Sequence, residues 1–110
     1  DILEHLASLP DASLGGVFMA QVVEHLPRPR LLELARLCAA KTAPGGRVAM
    51  ETQNPLSPMV LSRNFYLDLT HDRPIHPEGL RFLLEASGFG RRNSALMRWT
   101  SGLILNGLVT

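Results

Sequence analysis

Cysteine is almost missing from this chain. The one thiol, Cys38, has no partner within the sequence, so an internal disulfide is excluded. Cys38 is expected to pack as a small apolar residue, which fits a reducing compartment, and a cytoplasmic setting is the expectation. No apolar run reaches the roughly 18 residues that suggest a membrane span. An excess of charge is missing too. Lys and Arg total 11 against 10 Asp and Glu, and the arginines are scattered along the chain. That balance indicates neither a nucleic-acid groove nor a polybasic membrane patch. There is no repeat, low-complexity tract or linker. The opening "DILEHLASLP" carries acid where a signal peptide would carry base, so a leader is not expected there. It begins within a turn of a helix, which reads as a cut through a domain.

What is present suits one small domain over residues 1–110, with 45% apolar residues to build a core. Residues 2–9 place Ile2, Leu3, Leu6 and Leu9 at near-helical spacing, ended by "PDAS". The apolar run over 14–21 reads as a fully buried strand of a parallel sheet. Pro27 and Pro29 mark the start of a helix running to Thr42. Leu31, Leu34, Ala35 and Cys38 form its apolar stripe, with Glu33, Arg36 and Lys41 left wet. Gly45-Gly46 supplies a left-handed turn to end that helix. "RVAMETQNP" is a second strand. Residues 56–70 hold at most a turn of helix, and "THDRPIHPE" is irregular. Pro77 opens a helix with Leu80, Leu83 and Leu84 on one side, stopped at Gly88. "RRNSALMRW" and "GLILNGLVT" read as two further strands that can pair as an antiparallel edge hairpin. The alternation gives an α/β, Rossmann-like three-layer sheet with mainly parallel strands. Ligands of such sheets sit beyond the carboxyl ends of the strands, where "QVVEH" and "TQN" fall.

These segments also resemble a known family. "DILEHLASLPDASLGGVFMAQVVEHL", "LLELAR", "PGGR", "ETQNP" and "GLRFLLEASGF" together resemble the second half of class I S-adenosylmethionine-dependent methyltransferases. The likeness runs from about residue 1 to residue 90. It implies that the chain is the C-terminal part of such a domain, without the glycine-rich loop and ribose-binding acid of the first half. Alone, it would bind the cofactor weakly or not at all. By the same resemblance, Asp1 stands where an acid accepts from the adenine amino group, and Ile2 where the ring is met. Ala20 and Gln21 line the methionine end of S-adenosylmethionine.

A finer resemblance concerns "QVVEH". Small-RNA 2′-O-methyltransferases and ubiquinone-pathway catechol O-methyltransferases carry E-x-x-E-H here, with a further His after the next strand. In those groups the set is associated with a divalent metal and neighbouring substrate hydroxyls. The resemblance makes Gln21, Glu24, His25 and His71 the metal ligands, with Gln21 replacing a carboxylate and so weakening the site. One turn of helix would put residues 21, 24 and 25 on one face. Two imidazoles tilt the ion toward Mn²⁺ or Zn²⁺ over Mg²⁺. The substrate would be a hydroxyl-bearing small molecule.

Plainer readings stand beside these. Glu24 can cap the helix at Pro27, and His25 can be a hydrogen-bonded rim residue. His71 can be a general base or a loop residue bonded to backbone. His76 suits a helix cap and His5 the surface. Asn54 can face a substrate or form a turn before Pro55. Asp72 and Arg73 can bind a polar substrate or pair with each other. Phe65 and Tyr66 can wall a pocket or pack. The rival to an enzyme is a half-domain that forms a homodimer through its exposed sheet edge.

Overall fold

A computed structural model describes residues 1–100 and the backbone of 105–109. The order is α1 (Ile2–Ser8), β1 (Leu14–Ala20), α2 (Arg28–Lys41), β2 (Thr42–Gln53), α3 (Pro77–Ala86), β3 (Ser94–Thr100) and β4 (Leu105–Val109). A three-residue 3-10 turn, Val23–His25, follows β1, and a π turn, Val60–Asn64, leads into a 3-10 turn, Phe65–Leu67. The sheet runs β1-β2-β3-β4. The first three strands are parallel and β4 is antiparallel to β3. This is the α/β, Rossmann-like arrangement expected, with its antiparallel edge. Residues 102–104 and 110 of the expected last strand lie outside the described residues.

Parallel register makes rows across the sheet. Val17, Val48 and Ala95 form one row, and Met19, Met50 and Met97 another. These rows face the helices and join one core with Leu3, Leu6, Leu34, Cys38, Leu80 and Leu84. Burial pushes the Cys38 thiol up to about 11, so it behaves as the apolar residue expected. The alternate row is Phe18, Ala49 and Leu96. Phe18 is 73% exposed. The described residues therefore build the sheet and the helix layer on one face, and β1 is not the fully buried strand its sequence suggests. Among the described residues it is an edge strand, paired on one side, and its apolar composition does not reveal which of its sides is covered.

Two local expectations also change. Lys41 is buried, not wet, because it closes α2 against the sheet and reaches Asp11 with its ammonium, 2.8 Å away. Lys41 holds the Asp11 carboxyl below its ordinary 3.8. Gly45 does have a left-handed φ of 78°, but α2 already ends at Lys41 with an extended Thr42. The glycine instead lies inside β2, where the register with β1 shifts between Leu14 and Gly16. No helix among the described residues is long and apolar enough to cross a membrane.

Candidate active site

Two strand ends and one loop make the site. β1 ends at Ala20, which is exposed and lies beside Glu51 of β2. Gln21 then takes a left-handed φ of 56°, and its N–H donates to the Glu51 carbonyl at 2.8 Å. This reversal ends the strand and starts the 3-10 turn two residues later. Gln21 is thus outside the turn, and the α-helical spacing that would align it with Glu24 and His25 does not apply. Its side chain is exposed.

Glu24 points inward and is fully buried. It does not cap α2, whose cap position is Pro27 with no side-chain bond. Thr52, near the end of β2, donates its hydroxyl to Glu24 Oε2 at 2.7 Å. Oε1 has no hydrogen-bond partner among the described residues. An unpaired buried carboxyl oxygen is costly, and one that persists at strand ends marks a place for a ligand or proton donor. The Glu24 carbonyl accepts from the N–H groups of Asp72 (2.7 Å) and Arg73 (3.4 Å). Those bonds fasten the loop carrying His71 to the turn carrying Glu24.

The two imidazoles meet there. Their ring centroids are 4.7 Å apart, edge to face. His25 Nδ1 lies 3.1 Å from the Thr70 carbonyl and 3.0 Å from its hydroxyl. His71 Nδ1 lies 2.6 Å from the Phe65 carbonyl. A carbonyl only accepts, so each Nδ1 carries a hydrogen, and a neutral ring then keeps its lone pair on Nε2. His25 Nε2 is 4.0 Å from Glu24 Oε1. One ligand atom each of Glu24, His25 and His71 lies within 4.8 Å of the others. The backbone carbonyls behind the rings are the kind of outer partner that fixes a metal-binding histidine.

Sequence reasoning missed Asp68. Thr70 donates both its hydroxyl (2.6 Å) and its N–H (2.8 Å) to Asp68 Oδ1. These bonds hold the carboxyl below its ordinary 3.8, with smaller help from His71 and His25. Asp68 Oδ2 stands 3.5 Å from His71 Nε2. The signal in the sequence was "DLTH": an Asx turn at Asp68 with a histidine three residues on.

The other candidate residues make local contacts. Asp1 caps α1, accepting from the Leu3 N–H at 2.8 Å, and its other oxygen accepts from Arg30. Ile2 is 36% exposed beside it. Asn54 is buried, and its Oδ1 accepts from Leu56 N–H at 2.9 Å in an Asx turn. Asp72 and Arg73 pair with each other at 3.0 Å. His76 caps α3, its Nδ1 accepting from Glu78 N–H, and His5 is exposed. Phe65 is buried and lies against the His71 ring at 4.5 Å, while Tyr66 is exposed.

No protein-family model matches the chain. No curated protein matches it either. Among solved structures it is similar to that of a SAM-dependent methyltransferase from Archaeoglobus fulgidus, with a TM-score of 0.82 and 41% identity. The match covers 94% of this chain and 45% of that one, so the chain spans less than half the length of that protein.

Proposed function

The chain is a methyltransferase half-domain, and from that premise we propose that its protein transfers a methyl group from S-adenosylmethionine to a hydroxyl oxygen of a small molecule. The observation that carries this reading is the convergence of Glu24, His25 and His71 at the strand ends. The donor set fits a divalent cation, with Mn²⁺ or Zn²⁺ suited to imidazole and carboxyl oxygen together. When bound, such an ion lowers the pKa of a coordinated hydroxyl. The chain's own residues do the positioning. Glu24 would present Oε1 while Thr52 holds Oε2, and His25 and His71 would present Nε2 while backbone holds Nδ1. An acceptor with neighbouring hydroxyls matches a cluster of that width. Ala20 and Gln21, exposed at the end of β1, would face the methionine end of the cofactor, and Asp1 with Ile2 its adenine. Orientation of the acceptor oxygen in line with the methyl group would supply much of the rate.

His71 supports one further variant of the reading, a metal-free base. With Nδ1 on the Phe65 carbonyl, its Nε2 is the atom that would take a hydroxyl proton. The protein expressed from its full coding sequence, given methyl-labelled S-adenosylmethionine and a catechol, separates the two. Label on oxygen that is lost with a chelator and restored by Mn²⁺ is the expected result. Transfer that survives chelation favours the base. Transfer to carbon or nitrogen alone contradicts the reading.

A second reading rests on β1. Its outer edge is unpaired among the described residues and Phe18 lies bare beside it. A non-catalytic half-domain would use that edge to pair with a second copy. The buried, lone thiol suits the reducing cytoplasm in either case.

A further inference from the structure

We infer that Asp68, not Gln21, supplies the fourth ligand of the cation site. The inference rests on the metal reading above and goes beyond it. A site of two histidines, one carboxyl group and one amide is short of charge for a divalent cation. The structure has a second carboxyl group at hand, and it is prepared in the same way as the first. Glu24 has one oxygen fixed by the Thr52 hydroxyl, with the other 4.0 Å from His25 Nε2. Asp68 has one oxygen fixed by Thr70, with the other 3.5 Å from His71 Nε2. Each histidine has its Nδ1 turned to a backbone carbonyl. The result is two carboxyl–imidazole pairs joined by the contact between the rings.

The separations suit coordination. A tetrahedral ion with bonds near 2.1 Å has ligand-to-ligand edges of about 3.4 Å. Oxygen–nitrogen distances of 3.5 and 4.0 Å lie just above that value within each pair. Glu24, His25 and His71 already have ligand atoms within 4.8 Å of one another, and Asp68 would join that trio by turning its exposed carboxyl group from His71 toward it. Thr70 links the halves, since the hydroxyl that holds Asp68 also touches His25. Gln21 has no comparable preparation: it precedes the turn, on a left-handed backbone, with its side chain exposed. The Asp68 side chain is 47% exposed, which leaves one flank of the site open to an acceptor.

Calorimetric titration of the chain with Mn²⁺ tests this on four forms: the parent, Asp68→Asn, Asp68→Ala and Gln21→Ala. Asp68→Asn keeps the Asx turn and removes only the charge, so the fold is retained, as circular dichroism would verify. The expected result is one site in the parent, roughly tenfold or more weaker binding in both Asp68 variants, and unchanged binding in Gln21→Ala. Binding in the Asp68 variants equal to the parent's overturns the inference and leaves the metal reading standing. A loss confined to Gln21→Ala overturns it in favour of the amide. No binding to the parent removes the metal reading, and this inference with it.

Discussion

Thr52 donates its hydroxyl to Oε2 of Glu24 across 2.7 Å, from the penultimate position of β2 to a carboxyl group that solvent does not reach. This bond ties the end of one strand to the turn that follows its neighbour. It also decides which oxygen of Glu24 is left for other work.

Removing that hydroxyl leaves both Glu24 oxygens buried and unbonded. Thr52→Val is expected to cost about 1 to 3 kcal/mol in denaturant unfolding. Thr52→Ser keeps the donor and should recover most of the loss. Equal stability of the valine and serine variants would mean that the bond contributes nothing.

Two glycines should respond in opposite ways. A Cβ on Gly46 would meet the carbonyl oxygens of Ala43 and Gly15 at 2.8 and 2.9 Å. Gly46→Ala must therefore push β1 and β2 apart, at roughly 1 to 3 kcal/mol. A Cβ on Gly79, in α3, meets nothing within 4 Å. Gly79→Ala should stabilise the chain by up to about 1 kcal/mol. Thermal melts of the two variants check both signs.

Lys41 and Asp11 give a pH signature. The native Asp11 carboxyl is held below 3.8 by its hydrogen bond from Lys41 and then by that charge. A depressed folded value means stability that is present above 3.8 and lost as pH falls through the lowered value. Asp11→Asn should lower the melting point near neutral pH. The gap to the parent should vanish well below 3.8. A gap that persists in acid would assign the effect to packing.

The edge of β1, unpaired among the described residues, predicts self-association. Sedimentation of the chain over a range of concentrations should reveal a dimer, and Phe18→Lys should weaken it. A monomer throughout would count against the edge as a homodimer surface.

Much of this fold was legible from spacing. The proline-led starts of α2 and α3 and the apolar stripes of Leu34 and Leu84 follow from local rules that tertiary structure did not override. The cover of β1 was not legible, because an apolar run records composition and not which neighbour is present. Lys41 misled for a similar reason: its partner Asp11 lies thirty positions away. At the site, Glu24, His25 and His71 could be picked out as residue types. The turn geometry that sets Gln21 apart, and the hydroxyls of Thr52 and Thr70 that prepare each carboxyl group, depend on a left-handed residue and long-range pairing.

The central claim is that the paired imidazoles and the buried carboxyl group form a cation site at the strand ends. Calorimetric titration of the chain with Mn²⁺, beside His71→Ala, tests it most directly. The account predicts one site per chain, lost in the variant while circular dichroism stays unchanged. No uptake by the folded parent chain, or equal uptake by His71→Ala, would contradict it.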